Sequence, residues 1–212
     1  MQIGKCKIEL PFFACLAGIL LIDHTRYMGY LLASIALHEG AHLLALQIWG
    51  ISVRRIVLSG FRIQIDLPEK HLLSYKQEML IAAAGPAANF LLAALLYLCA
   101  CLGVGFADAP FLLLTNLGIG LITLFPVEPL DGSKIARCML FLLFEYELAG
   151  RIYLVVRVTA LVALLLLGFS FFYLTGYNVS LMTICLFLSV RMLFDGEKPR
   201  FSRRGQLNKC AR

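Results

Sequence analysis

Charged residues are scarce in this chain of 212 residues: Asp, Glu, Lys and Arg make up 15% of it, whereas hydrophobic residues make up 60%. Soluble globular domains are typically about 25% charged and about 45–50% apolar, and disordered chains are more polar still. Both classes are therefore excluded. A paired cysteine framework is also lacking, because the 7 cysteines are odd in number and most lie inside apolar runs. That excludes a secreted disulfide scaffold.

The chain also lacks a polar stretch long enough to form a separate domain. A membrane span needs about 20 mainly apolar residues. Six such stretches can be drawn, at about 8–22, 27–48, 80–104, 111–127, 153–175 and 179–194. The largest remaining piece, about 49–79, is shorter than a domain. The sequence therefore predicts an all-α polytopic membrane protein, with a six-span domain over residues 1–195 and a basic tail over residues 196–212.

Positive charge is almost confined to one side of the predicted helix bundle. With the N-terminus in the cytoplasm, all of the 19 Lys and Arg residues except Arg26 fall on the cytoplasmic side. The positive-inside rule therefore favours a multi-pass protein of the cell membrane with both termini in the cytoplasm. We expect the lipid bilayer as its surroundings and no nucleic-acid partner.

The loop after the second span has the period of a β-strand. Apolar and polar residues alternate from Phe61 to Asp66, and Gly60 marks a turn or bulge. We expect a short β-hairpin-like strand pair at the cytoplasmic face. Such a strand can accept an extended substrate by strand addition, which makes Ile63 and Ile65 candidate substrate-binding positions. The alternative is a plain cytoplasmic connector.

One cluster of ionisable residues interrupts the second span. The segment 38–42, HEGAH, has the H-E-x-x-H pattern, for which chance predicts about 0.003 occurrences in this composition. Histidines at i and i+4 share one helix face and can reach one metal ion, and charged residues at mid-membrane usually mark function. We predict His38 and His42 as metal ligands and Glu39 as the catalytic base. The alternative is a polar contact between helices.

A zinc site needs a third protein ligand and one open position, and Asp131 is the best candidate. It lies in the segment 125–132, FPVEPLDG, after the fourth span. Two prolines three apart cannot continue an ordinary helix, so the backbone should unwind there and restart near Ser133. Asp131 is either a ligand or the N-cap of the helix that follows. Glu128 is a rival ligand, for which we expect an outward, solvated position.

Two asparagines lie in otherwise apolar helices. The third span opens with small residues, which permit close approach of helices, and Asn89 follows them. Asn89 and Asn116 are expected to bond to neighbouring helices. A second interpretation is that Asn116 holds or polarises a substrate carbonyl.

Three ordered blocks, HEGAH at 38–42, AAGPAAN at 83–89 and PVEPLDG at 126–132, resemble those of the site-2 protease family of intramembrane zinc metalloproteases. The resemblance implies that His38, His42 and Asp131 bind one zinc ion and that Glu39 is catalytic. Within the family, the chain is most similar to the compact six-span sporulation branch, since no PDZ insertion interrupts it. It departs from the pattern at Thr123, where the family usually has Asn, and in the lack of a CBS domain after the tail.

The resemblance further implies a zinc metalloendopeptidase that cleaves a transmembrane or membrane-associated protein near the cytoplasmic side. A pro-sigma factor in sporulation is one such substrate, and regulatory membrane partners would accompany it. Two alternatives come from other classes. A metal transporter would not require Glu39 and would show a series of ligands across the membrane. A non-catalytic scaffold would not need the complete H-E-x-x-H motif.

Overall fold

The computed structural model describes residues 2–3, 6–8, 26–51, 55–59, 62–66 and 73–174, together with Leu186 and Ser189. The first predicted span and the basic tail lie outside the described residues. The sixth predicted span lies outside them as well, apart from Leu186 and Ser189, which are helical.

Five helices make up most of the described chain: α1 Arg26–Ile48, α2 Tyr75–Cys101, α3 Ala109–Thr123, α4 Asp131–Leu143 and α5 Tyr146–Leu174. The second to fifth predicted spans correspond to α1, α2, α3 and α5. Three of these helices, α1, α2 and α5, are long and apolar enough to cross a membrane, and α3 is a shorter apolar helix. These helices indicate a membrane protein.

Helix α2 begins earlier than the apolar run predicts. Ser74 caps it, because the amide of Gln77 donates to the Ser74 hydroxyl at 3.2 Å and the Ser74 amide donates to the Gln77 side chain at 3.0 Å. This reciprocal capping box starts a helix in polar sequence, which a search for apolar runs does not detect.

Four short strands form one sheet: β1 Gln2–Ile3, β2 Cys6–Ile8, β3 Arg55–Ser59 and β4 Arg62–Asp66. The order is β1-β2-β3-β4; β2 and β3 are parallel and the other neighbours are antiparallel. In the pairing of β3 with β4, Ile63 lies opposite Leu58 and Ile65 lies opposite Ile56. The two N-terminal strands were not expected, because runs of two or three residues are too short to show an alternating pattern.

Helix α2 is the centre of the described bundle. It packs against α1, α3 and α4, and α5 packs against α4. Small residues allow the close approach that this arrangement needs. A Cβ atom at Gly120 of α3, for instance, would lie 2.9 Å from the ring of Phe90 in α2. The loop between α3 and α4 therefore lies against the same bundle that carries the H-E-x-x-H motif.

Candidate metal centre

Two histidines of α1 direct their rings to one place. His38 and His42 are separated by one helical turn, and their Nε2 atoms are 3.2 Å apart. The same carboxylate oxygen, Oδ2 of Asp131, lies 3.0 Å from Nε2 of His38 and 3.2 Å from Nε2 of His42. None of the three residues is more than 8% exposed. The structure thus brings together, in a buried position, the three residues that the sequence predicts as ligands.

Asp131 reaches this position because α3 is short. Its 15 residues span about 22 Å, whereas the hydrocarbon core of a bilayer is about 30 Å thick. A helix of that length is too short to cross such a core. The irregular segment 124–130 follows, and α4 then begins at Asp131 itself.

The segment 124–130 is fixed on both sides. A Cβ atom at Gly132 would collide with the main-chain carbonyl of Leu124, so the first turn of α4 packs directly on the end of α3. Val127 is fully buried and packs against Leu164 of α5. The position of Asp131 therefore depends on contacts with both α3 and α5.

Helix α4 is also held to α2. Arg137 donates to the Glu78 carboxylate at 2.6 Å, and the rings of Tyr75 and Phe141 stack with centroids 5.7 Å apart. Cys138 is fully buried beside this ion pair, and burial raises the pKa of its thiol to about 12. It therefore remains a protonated, small apolar residue, as the sequence predicts for the cysteines.

Each histidine has its other ring nitrogen engaged by an oxygen atom outside the cluster. Nδ1 of His38 lies 2.6 Å from Oδ1 of Asn89, and Nδ1 of His42 lies 2.7 Å from the carbonyl of Ile81. A carbonyl oxygen can only accept, so both Nδ1 atoms carry the proton and donate. Both Nε2 atoms then present lone pairs to the cluster. Partners of this kind fix the tautomer and orientation of metal-binding histidines.

The Asp131 carboxylate divides its two oxygens between different partners. Oδ1 accepts from the ammonium of Lys134 at 3.0 Å, whereas Oδ2 faces the two histidines. Lys134 lies one turn further along α4, and its side chain is 42% exposed. Lys134 was not predicted as a partner of Asp131, although its i+3 position on a predicted helix was a signal for this contact.

Gly85 of α2 leaves space beside the two histidines. A Cβ atom there would lie 2.5 Å from Nε2 of His42 and 2.6 Å from Nε2 of His38. Real side chains do not approach so closely, so any larger residue would require the two histidine rings to move. The small residues around Gly85 were expected mainly to serve helix packing; this glycine also leaves room beside the two histidine rings.

The three donor atoms fit a metal ion. Donors at about 2.0–2.1 Å from a tetrahedral zinc ion lie roughly 3.3 Å from one another, close to the 3.0–3.2 Å separations of these atoms. Two imidazoles and one carboxylate are also the donor set of many catalytic zinc sites, which keep a fourth position open. The space at Gly85 lies beside the two Nε2 atoms.

Glu39 lies beside the cluster without being part of it. Its side chain is half-buried, and it interacts electrostatically with His38, His42 and Asp131. Among the described residues, the group whose donor atoms converge consists of His38, His42 and Asp131. Glu39 therefore lies next to the three converging donor groups and is not one of them.

The expectation for Glu128 was wrong. It is only 7% exposed, and its carboxylate accepts from the Tyr153 hydroxyl at 3.0 Å and pairs with the Arg157 guanidinium at 3.3 Å. Both partners belong to α5. A buried carboxylate needs such partners because the loss of hydration is costly. Glu128 thus attaches the segment 124–130 to α5; it is neither solvated nor a member of the donor cluster.

Asn116 makes contacts within the bundle. It is fully buried. Its amide donates to the Ser34 hydroxyl at 3.0 Å and to the Leu112 carbonyl at 2.8 Å. Its oxygen accepts from the Asn89 amide at 2.8 Å. The structure supports the expected bond to neighbouring helices and leaves no group of Asn116 for a substrate carbonyl.

The Thr123 hydroxyl donates to the carbonyls of Ile119 and Gly120 in its own helix, at 2.8 and 3.2 Å.

The remaining predicted substrate positions, Ile63 and Ile65, lie on β4. In the described part of the sheet, β4 is the last strand. The sheet is connected to the helices that hold the cluster, since β3 follows α1 and α2 follows β4. His42 lies about 9 Å along the helix axis from the end of α1. A role in substrate binding remains a prediction.

The fold and the H-E-x-x-H cluster resemble those of the site-2 protease family, as the three sequence blocks predict. Comparison with known proteins supports this resemblance. The Site-2 Protease from Methanocaldococcus jannaschii has a similar fold, with a TM-score of 0.58, 23% sequence identity and 89% coverage of each chain. A likeness at this identity shows the fold alone. No protein-family model matches the chain.

In sequence, the chain is similar to stage IV sporulation protein FB of Bacillus subtilis (strain 168). The two are 29% identical over 197 residues, which cover 90% of this chain and 65% of that protein. The resemblance to the sporulation branch, predicted from the compact six-span pattern without a PDZ insertion, is therefore confirmed. The chain spans less than two thirds of the length of this curated relative, so the activity of the whole relative comes to it only as a proposal.

Proposed function

We propose that this chain is an intramembrane zinc endopeptidase that cleaves a transmembrane or membrane-associated protein near its cytoplasmic side. The observation that supports it best is the convergence of three buried donor atoms, with both histidine Nδ1 atoms bonded elsewhere. The similar proteins named above include a protease. A pro-sigma factor or another membrane-associated pro-protein is the substrate class implied by the similarity to the sporulation branch.

The residues divide the chemistry between them. His38, His42 and Asp131 would hold a zinc ion, which supplies a Lewis acid that activates water and polarises the substrate carbonyl. The Glu39 carboxylate accepts a proton from the attacking water and later donates it to the leaving amine as the peptide C–N bond breaks. Lys134 keeps Oδ1 of Asp131 engaged, so Oδ2 remains directed at the histidines.

A metal transporter is the alternative from another class. It would require successive ligand groups along a path through the membrane. In residues 26–51 and 73–174, a single cluster of three such side chains was found. A non-catalytic scaffold would not require a half-buried carboxylate, Glu39, beside that cluster. Neither alternative accounts for both the single cluster of donor groups and the position of Glu39 beside it.

The ligand assignment can be tested with two acidic residues that lie close in sequence. Purified Asp131→Ala should lose bound zinc and cleavage, because the third donor is removed. Glu128→Gln should keep its zinc, because Glu128 bonds to Tyr153 and Arg157, although its stability should fall. Zinc per protein is measured by elemental analysis. Full zinc retention in Asp131→Ala would remove this residue from the ligand set.

The proposed orientation rests on the position of the positive charges. We expect a reporter fused after Arg212 to be active when it is one that functions in the cytoplasm, and inactive when it requires export. Activity of the exported type of reporter at this fusion would overturn the topology and, with it, the cytoplasmic access proposed for the site.

We further propose that β4 presents the substrate by strand addition, which forms main-chain hydrogen bonds along a sheet edge. Because proline removes a donor and is poorly tolerated in a paired strand, Ile63→Pro or Ile65→Pro should impair cleavage and leave zinc content unchanged, whereas Ile63→Val should not. Residues 63 and 65 are two apart in the strand, so their N–H groups point to the same side, and both proline variants should show the effect. Normal turnover by both, with folding confirmed, would make this segment a connector.

A further inference from the structure

A series of hydrogen bonds leads away from the metal cluster through three helices. Nδ1 of His38 lies 2.6 Å from Oδ1 of Asn89, and the Asn89 amide donates to Oδ1 of Asn116 at 2.8 Å. The Asn116 amide donates to the Ser34 hydroxyl at 3.0 Å. That hydroxyl donates to the carbonyl of Tyr30 at 2.8 Å. Ser34, Asn89 and Asn116 are at most 1% exposed, so water does not compete for these groups.

Two main-chain carbonyls fix the direction of this series. The Asn116 amide also donates to the carbonyl of Leu112 at 2.8 Å, and the Asn89 amide also donates to the carbonyl of Ser34 at 3.3 Å. Carbonyls only accept, so each of these contacts requires the NH₂ end of the asparagine. The orientation of both side-chain amides follows from the hydrogen-bond network. Oδ1 of Asn89 is therefore the atom that faces His38.

This direction determines the state of His38. Because Oδ1 of Asn89 can only accept, Nδ1 of His38 carries the proton and Nε2 keeps its lone pair towards Asp131. If the Asn89 amide were reversed, its NH₂ group would face Nδ1 and favour the tautomer with the proton on Nε2. That proton would occupy the direction in which a metal ion must bind.

We propose that Asn116 is a positioning residue of the metal site, which holds Asn89 in the one orientation that leaves Nε2 of His38 free for the metal. This inference rests on the proposed zinc site. It assigns Asn116 to a role that needs no contact with substrate. It also links α3, the helix that leads to Asp131, with the ligand His38 of α1.

The first test is zinc affinity, measured by chelator competition on the metal-stripped protein in detergent. Asn116→Leu should raise the zinc Kd about 10–100-fold, as the loss of outer partners of metal ligands typically does. Gly118→Ala is the matched control in the same helix, since its added Cβ would meet nothing within 4 Å; its Kd should be unchanged. If Asn116→Leu does not fold, Asn116→Ala is measured against the same expectation.

The second test asks whether Asn116 acts through the orientation of Asn89. An aspartate at position 89 offers His38 an acceptor in either orientation, so Asn89→Asp should make the site independent of Asn116. Asn116→Leu should then cost little further zinc affinity in the Asn89→Asp background. Such a cycle separates a coupled contact from an independent effect. An equal loss in both backgrounds would show a merely structural role and overturn the proposal.

The tautomer itself gives a readout that does not depend on activity. The chain has 4 histidines, so their ¹⁵N signals can be assigned. Metal-free protein should show His38 protonated at Nδ1, and Asn116→Leu should show a mixture of tautomers. An unchanged tautomer, or an unchanged zinc Kd with a raised substrate KM, would overturn the proposal. Normal zinc binding by a wild-type protein that cleaves nothing would instead count against the proposed function alone.

Discussion

Glu39→Gln is expected to abolish cleavage while zinc stays bound. The substitution removes the carboxylate that accepts and returns the proton, and general acid–base groups typically contribute about 10²–10⁴-fold to a rate. The change is nearly isosteric, and Glu39 lies outside the group of three converging donor atoms. The measurement is turnover of a membrane-embedded substrate by purified protein, with zinc determined on the same sample.

Glu145→Gln is the matched control for this variant. Glu145 is exposed and lies between α4 and α5, so the same chemical change there should leave turnover unaffected. A transporter or a scaffold would be little affected by either substitution. Wild-type turnover by Glu39→Gln would therefore contradict the assignment of Glu39 as the base, whatever the zinc content.

Gly85→Ala is expected to close the metal site. The added methyl would lie 2.5 Å and 2.6 Å from the Nε2 atoms of His42 and His38. The two rings cannot move aside freely, because their Nδ1 atoms are bonded to Ile81 and Asn89. Zinc affinity should fall by more than the roughly 10–100-fold typical of losing an outer partner, and cleavage should fall with it.

The clash can also weaken the packing of α1 on α2, so folding of Gly85→Ala is measured together with its zinc content. Alanine is favoured over glycine within a helix by about 1 kcal/mol, so the helix itself gains stability. Gly118→Ala serves as the control, because its Cβ would meet no atom within 4 Å. Elemental analysis gives the zinc content per protein of both variants and tests this expectation. A zinc content in Gly85→Ala equal to that of the wild-type chain would mean that the ion does not occupy the space beside this glycine.

The ligands could be predicted from the sequence because their signal is local. His38 and His42 are one turn apart on one helix, and Asp131 follows a proline pair that cannot continue a helix. Their partners depend on how one helix lies on another. Asn89 and Gly85 face the histidines only because α1 and α2 pack in one particular register, which composition and hydropathy do not determine.

A partial signal for this register was nevertheless present. Ser34, His38 and His42 recur every four residues along α1, which places them on one face. Gly85 and Asn89 are spaced in the same way along α2. Two matching stripes of polar and small residues on apolar helices indicate that the two faces meet.

The error at Glu128 has a different origin. Its position between two prolines is typical of an exposed turn. Arg157 and Tyr153 approach it from α5, in a contact between residues distant in sequence. A buried carboxylate of this kind can be recognised only once its partners are known, because burial without them would be too costly.

The most direct test of the central claim, that Glu39 serves a zinc peptidase acting on membrane proteins, is a comparison of membranes that contain either the wild-type chain or Glu39→Gln. Quantitative proteomics of the soluble and membrane fractions would be run on both. With the wild-type chain, we expect a cytoplasmic fragment of a membrane-associated protein to accumulate while its precursor declines, and we expect neither change with Glu39→Gln. Identical fragments and precursors in the two samples, at equal levels of folded, zinc-loaded protein, would contradict the account.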